Sequence, residues 1–559
     1  MVRQSVKDGM NMRAKVYLWL SLVSVACCFG DCALAGMATN ELVMAQGEHW
    51  WGGSAGFGTS MPFDASSNAR IDLLKKNYSQ QCDSLLISDR GRIVYSSKPA
   101  LITVSKGVIR FVTDGEMVVC QRGTTLREAF LYASKTWFPP SGKTPAELFF
   151  TAPQYNTWVE LNYQQNQESI LKYARGFLAQ GCPPGVIMID DTWQVAYGDW
   201  DFDLRRFPDP KGMCDELHKM GFKVMLWICP WVGMDTPAYR RIAFGHNPND
   251  YRGYPTKGGF RMQAAHPSLP APNLWWNGYS ALLDFTHPNA RAWFKEQLDR
   301  LVKDYGVDGF KFDAGDCQFY KEKEIDVYDG QSYDMDQTRL WAKLAKQFPY
   351  NELRACWGEQ SQPVIIRLGD QSYSWNAVAS LVPSLVNLGL MGYQFTCPDM
   401  IGGGLISTFQ NVKEDEFDSS LIIRSCQIHS MMPMMQFSLA PWRILKPEHM
   451  AIIRKCSELH VQMGPYIKEQ TLKSAQTGEP IVRHMDYEFP GEGFEAVTDQ
   501  YMLGDRYLVA PVYTSAEERT VRLPRGRWRD EQGKIYKGGK TYTIAVPLDR
   551  IPYFERIRK

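Results

Sequence analysis

The sequence predicts an α/β chain: a (β/α)8 barrel flanked by an N-terminal β-sandwich-like domain and a small C-terminal all-β domain. Three observations carry this. Over some 300 residues, apolar helical faces alternate with continuous apolar runs of strand length, the pattern of a parallel sheet buried on both faces. Alternating strands with Asp-Gly turns precede that region, and short Gly-separated strands follow it. No Gly-x-Gly-x-x-Gly follows a strand, which favours a closed barrel over a dinucleotide-binding sheet.

Taken in chain order, Arg13 and Lys15 precede an apolar run over 16–30, and Ala33-Leu34-Ala35 supplies a small-x-small cleavage site. Residues 1–35 read as a secretory signal peptide. The run is shorter than the ~20 residues a membrane-spanning helix needs. The expectation is a periplasmic or secreted protein, with Cys27 or Cys28 offering a site for lipid attachment. Residues 36–145 carry candidate strands at 84–88, 93–95, 109–112 and 117–119, punctuated by Asp89-Arg90-Gly91 and Asp114-Gly115.

Residues 146–465 form the predicted barrel. Ile170, Tyr173, Ala174, Phe177 and Leu178 share one helical face, closed by Gly181 before a strand at 186–189. Met213, Leu217 and Met220 repeat the pattern up to Gly221, before a strand at 224–228. Trp293, Phe294, Leu298, Leu301 and Val302 do so up to Gly306, before a strand at 309–312. Residues 233–280, rich in Pro, Gly and Asn, lack periodicity, and so long an irregular loop in a barrel points to function. Residues 466–559 supply the C-terminal strands, at 507–512, 520–523 and 541–546.

Composition narrows the functions. The 62 basic and 61 acidic residues leave a net charge of +1, which argues against a nucleic-acid partner. Hydrophobic content of 44% and charged content of 22% exclude a disordered or fibrous chain. Ten of the 13 cysteines lie beyond the signal peptide with no CxxC pair, so neither a disulfide scaffold nor a cysteine zinc motif is indicated. The nine histidines include no HExxH, which disfavours a zinc hydrolase. No later run reaches 18 apolar residues, so no membrane span is expected; oligomeric state leaves no trace.

In a barrel, the residues just past each strand's C-terminal end face one cleft. Those positions here hold Asp190, Asp191 and Trp193; Trp227 and Trp231; Asp284; Asp313 and Asp316; Arg354; Arg367 and Asp370; and Asp399. Acids and tryptophans dominate, which suits a sugar: carboxylates accept hydrogen bonds from hydroxyls, and rings cover the apolar faces of the pyranose. Glycoside cleavage needs two carboxyl groups, one to donate a proton and one to attack or to activate water. Asp313 and Asp370 are the pair. Lys311, two residues before Asp313 on the same side of its strand, would keep Asp313 ionised as a nucleophile. Asp370 follows Gly369 in a loop and, as general acid, would need a raised pKa.

Residues 308–316 (DGFKFDAGD) resemble the nucleophile segment of glycoside hydrolase family 31. Arg354 lies 16 residues before Asp370, and Asp399 lies 29 after it. Those spacings are similar to the family's substrate-binding arginine, acid/base aspartate and following aspartate. Residues 206–210 and 504–512 match its other hallmarks. The resemblance implies an anomer-retaining α-glycosidase that forms a covalent glycosyl-aspartate, uses no metal or other cofactor, and takes an oligosaccharide or glycoside as its partner. Arg367 stands where the family's α-glucosidases carry Trp, and Gln436-Phe437-Ser438 stands where they carry Arg-x-His. Residues 189–194, Trp275-Trp276-Asn277 and 283–286 look more like the α-galactosidase branch, with Trp276 and Asp190 or Asp191 as readers of the axial 4-hydroxyl. The expectation is an exo-acting α-galactosidase; an α-glucosidase, α-xylosidase or α-N-acetylgalactosaminidase, a transglycosylase, and a non-catalytic sugar-binding protein are the alternatives.

Other motifs read blandly. Residues 52–56 spell GxSxG, which as a nucleophile elbow needs a strand before it and a helix after it; here the string sits near the expected mature N-terminus among Gly and Trp. The methionines of 431–435 read as adaptable core packing. His49-Trp50-Trp51 reads as packing of the N-terminal domain onto the barrel.

Overall fold

A computed structural model gives the architecture and describes residues 37–75, 80–244, 272–320, 327–329, 334–409, 413 and 416–557. The predicted signal peptide and the middle of the 233–280 loop lie outside the described residues. The N-terminal part is two four-stranded antiparallel sheets. One runs Ala38–Val43, Val108–Thr113, Ala100–Ser105, Ala69–Asp72; the other Trp50–Ser54, Cys82–Ser88, Arg92–Ser96, Met117–Gln121. A helix, Leu126–Trp137, follows; Thr125 caps it by accepting from the Glu128 amide.

The centre is an eight-stranded parallel sheet. In chain order its strands are β1 (Gln154–Asn156), β2 (Val186–Ile189), β3 (Lys223–Ile228), β4 (Gly309–Phe312), β5 (Tyr350–Leu353), β6 (Ile365–Arg367), β7 (Thr396–Cys397) and β8 (Gln436–Phe437). The ladder runs β7-β6-β5-β4-β3-β2-β1-β8, so among the described residues only a β7–β8 pairing separates it from closure. Strands β2, β3 and β4 are almost wholly buried, which is why, Lys223 and Lys311 apart, they are apolar without alternation. The helices before β2, β3 and β4 are those the sequence periodicity marks: Gln167–Ala179, Pro210–Lys219 and Pro288–Tyr305. The last ends on Gly306 at φ 78°, a left-handed cap that suits glycine.

Two boundaries differ from expectation. The division expected at 465 falls inside one helix, Pro447–Thr477, which carries Pro465 without ending there and stops at Gly478. The strand expected over 507–512 stops at Val509, because the following chain reaches Pro511, which has no amide proton to extend a ladder. The C-terminal part comprises a six-stranded sheet and a two-stranded pair around a separate core that includes Trp528, Phe554 and Met502.

Candidate active site

The site stands at the C-terminal ends of the barrel strands. Three non-glycine residues with positive φ lie just past those ends: Thr192 (74°), Ala314 (54°) and Asp399 (76°). Such bends are costly and collect at functional sites. They turn the chain sharply beside Asp191, Asp313 and Asp399. Beyond β3, the antiparallel strands Trp231–Gly233, Gly278–Leu282 and Pro272–Trp275 make a small sheet from the described ends of the irregular loop, and it presents Trp275-Trp276-Asn277.

A cavity of about 230 Å³ opens here, lined by Asp190, Asp191, Trp227, Trp276, Lys311, Asp313, Arg354 and Asp370, together with Trp158, Tyr163 and Ile406. The first eight are sequence-expected. Trp158 and Tyr163 escape the sequence reading because they follow β1, whose Gln-Tyr-Asn text has no apolar run; Ile406 opens a four-residue helix beyond the two-residue β7. Two larger surface grooves lie against the C-terminal part, far in sequence from the acid cluster; each is lined by three carboxylates, among them Glu531 and Glu555, which are tied to arginines.

Asp313 is buried. Its Oδ2 accepts a hydrogen bond from the Trp227 indole at 2.7 Å, while its Oδ1 has no hydrogen-bond partner and stands 3.8 Å from Arg354 Nη1. Burial favours the neutral acid, but Lys311, Arg354 and Arg367 together outweigh it, aided by the Trp227 hydrogen bond, and pull the Asp313 pKa down to about 2. Lys311 is itself buried and bonded to Asp190 at 2.7 Å. Burial works against its charge, yet Asp190 and the other carboxylates win and raise its pKa.

Asp370 is 28% exposed in its side chain, and its Oδ1 accepts from Arg367 Nη1 at 2.8 Å. The same Nη1 reaches Asp399 at 2.7 Å, and Arg367 Nε lies 3.4 Å from Glu352. Arg367 and Asp399 are therefore support buried behind the cavity wall, not part of its lining, unlike the substrate contacts expected of them. Burial raises the Asp399 pKa, the Asp370 charge adds to the rise, and Arg367 opposes it.

Asp191 is held by Gln194 Nε2 (3.1 Å), the Tyr197 hydroxyl (2.9 Å) and Asn277 Nδ2 (3.3 Å). Burial first, and the neighbouring Asp190 charge after it, push its pKa up to about 6. Trp276 is exposed at the rim, with the Arg354 guanidinium 5.2 Å from its ring centroid.

Two expected cleft residues belong to the core. Trp193 is fully buried against Trp200 and Phe202, its indole donating to the Trp227 carbonyl at 2.8 Å, because the bend at Thr192 breaks the alternation that would aim it at the cleft. Trp231 is buried and stacked on Trp275. Asp284 is structural: it accepts from the Thr286 amide and hydroxyl, the Tyr328 amide and Gln337. Ser54 of the GxSxG string caps a short helical turn. Met431, Met432, Met434 and Met435 are fully buried, and Trp50 and Trp51 are core.

The family model described as "Glycosyl hydrolases family 31 TIM-barrel domain" matches residues 154–470, and "Glycosyl hydrolase family 31 C-terminal domain" matches 478–557. The chain is 31% identical to the myogenesis-regulating glycosidase of Mus musculus over 77% of its own length and 60% of that protein's. It is 27% identical to the alpha-xylosidase of Emericella nidulans over 76% of its own length and 54% of that protein's. It thus spans little more than half the length of these relatives. In three dimensions it is similar to a GH31 alpha-xylosidase from a soil metagenome, complexed with xylose, with a TM-score of 0.79 at 21% identity over 93% of this chain and 79% of that one. A Flavobacterium johnsoniae GH31 dextranase aligns with a TM-score of 0.78 at 19% identity over 94% of this chain and 68% of that one. At those identities the structural likeness is one of fold.

Proposed function

The chain belongs to glycosyl hydrolase family 31, and from that premise we propose that it is a retaining, exo-acting α-glycosidase. One observation carries the reading: Asp313, kept ionised with Oδ1 unbonded, and Asp370, reached by solvent, line the same cavity. In the first step Asp313 Oδ1 attacks the anomeric carbon while Asp370 gives its proton to the departing glycosidic oxygen. The products are a glycosyl-aspartate ester and a free alcohol. In the second step Asp370, now a carboxylate, takes a proton from water as the water oxygen attacks the same carbon and frees Asp313. Two inversions give net retention. A cavity of about 230 Å³ lies below the ~300–1,000 Å³ of drug-sized sites, which supports recognition of a single terminal sugar.

Galactose ranks first as that sugar. The support is the α-galactosidase-like text around Asp190, Asp191 and Trp276, which line the cavity. Xylose and glucose form the second reading, favoured by the printed names of relatives such as the Emericella alpha-xylosidase and an alpha-glucosidase 2 of Bacillus thermoamyloliquefaciens. Nitrophenyl α-glycosides of the three sugars decide: the galactoside is expected to react fastest, and a faster xyloside or glucoside reverses the ranking. Proton NMR of the first-formed product should show the α-anomer. Asp313→Asn should lower kcat at least about 10³-fold with folding unchanged; near-wild-type turnover would remove the nucleophile assignment. Export to the periplasm or medium rests on the text of residues 13–35 and is tested by fractionating cells that express the full chain.

A further inference from the structure

The catalytic carboxylates stand on different loops, yet retention requires them to hold a fixed separation. Two consecutive glutamines from the N-terminal part, at the entry to strand Cys82–Ser88, touch all the loops concerned. Gln80 donates its amide N–H to Asp316 Oδ1 at 2.6 Å. Its side-chain Oε1 accepts the amide of Gly369, next to Asp370, at 3.1 Å. Gln81 is fully buried, and its Nε2 donates to the carbonyls of Arg354 (2.6 Å) and Arg367 (2.9 Å). The Cys82 amide bonds the Cys356 carbonyl, and the Cys356 amide the Gln80 carbonyl, both at 3.4 Å.

These contacts continue to the carboxylates. Asp316, fully buried, lies 3.4 Å from Arg354 Nε, and Arg354 Nη1 lies 3.8 Å from Asp313. The fit at the other end is close: a Cβ on Gly369 would sit 2.3 Å from Gln80 Nε2, so a larger residue there would push the Gln80 amide aside. Gln80 itself holds a left-handed φ of 67°, a strained geometry that persists only where its surroundings enforce it.

We propose that Gln80 and Gln81 are positioning residues, a two-residue clamp from the N-terminal part that sets the distance between Asp313 and Asp370. The clamp rests on the catalytic reading of those two aspartates. Its halves differ in chemistry. The Gln80 side chain serves as an acceptor and acts on the Asp370 loop alone; its main-chain N–H contact with Asp316 is kept by any residue but proline.

Gln80→Met keeps length but removes the acceptor, and Gln80→Glu keeps the acceptor. The test compares both with the wild type on aryl α-glycosides whose leaving phenols range from dinitrophenol to phenol, using the sugar turned over best. A misplaced Asp370 matters most where the leaving group needs its proton. Gln80→Met should lose about 10- to 100-fold in kcat/KM on the phenyl glycoside and little on the dinitrophenyl one. Gln80→Glu should recover most of that loss. A uniform loss across leaving groups, no loss, or a Glu variant as poor as Met would each overturn the clamp. A crystal structure of Gln80→Met gives a readout free of turnover: an Asp370 carboxyl unmoved from its wild-type place overturns the clamp as well. If the wild type hydrolyses none of the glycosides, the catalytic reading fails, and the crystal structure alone then decides whether Gln80 holds the loop.

Discussion

At the scale of single residues, charge arrangement does the chemical preparation. As the proposed nucleophile, Asp313 must act ionised, so activity should fall as pH drops through its pKa of about 2, and its protonation should leave no mark on kcat/KM above about pH 3. The double variant Lys311→Met/Asp190→Asn removes the foremost opposing cation while sparing the core a lone buried carboxylate. Its acid limb should move to higher pH, checked by kcat/KM against pH; an unmoved limb would mean Arg354 and Arg367 suffice. The acids around this centre were legible because each directly follows a strand end. Trp193 misled because parity counting assumes an extended chain, and Thr192 bends at φ 74°. Gln80 and Gln81 carry no sequence signal at all: their meaning lies in carbonyls and amides some 230 to 290 positions away.

At the scale of elements, glycine placement decides how tightly the sheet closes. Gly309 opens β4, the strand that carries Lys311 and leads to Asp313, and a Cβ there would lie 1.8 Å from the Tyr350 carbonyl oxygen on β5. Gly309→Ala must part the two strands. It should cost about 3 kcal/mol or more, seen as a lower midpoint in thermal unfolding, and should lower kcat because the strand carries the site. Strands β2, β3 and β4 were readable as apolar runs, and their preceding helices as periodic faces. Strands β1, β5, β6, β7 and β8 span two to four residues each and every one includes a polar residue, so five of the eight strands showed no apolar run and had to be inferred from regularity. The helix Pro447–Thr477 runs through the boundary expected at 465 and continues past its internal Pro465.

At the scale of the molecule, the N-terminal sheets are built into the barrel. Asn387, on the helix Trp375–Leu390, accepts from the Gly52 amide at 3.1 Å and donates to the Ser54 carbonyl at 3.0 Å, all buried. Asn387→Leu removes both hydrogen bonds, leaving the Gly52 amide only the weak acceptor Met61 Sδ at 3.3 Å. It should destabilise by about 2–5 kcal/mol and shift one common denaturation midpoint, followed by tryptophan fluorescence and by activity. Two separated transitions would instead mean that the parts unfold independently. The order of domains was legible from changes in rhythm along the chain; their interlocking was not, because its contacts join residues hundreds of positions apart. The cavity, finally, has its charged groups at the inner end and its exposed rings, Tyr163 and Trp276, at the rim. On the proposed exo-acting reading, such a socket takes only a chain's terminus, through the doorway between those rings. Each cleavage would then end with the trimmed polymer departing first and the liberated monosaccharide last, by the route it came. A polysaccharide solution would keep its viscosity while sugar accumulates, and that sugar would slow its own production by competing for the doorway.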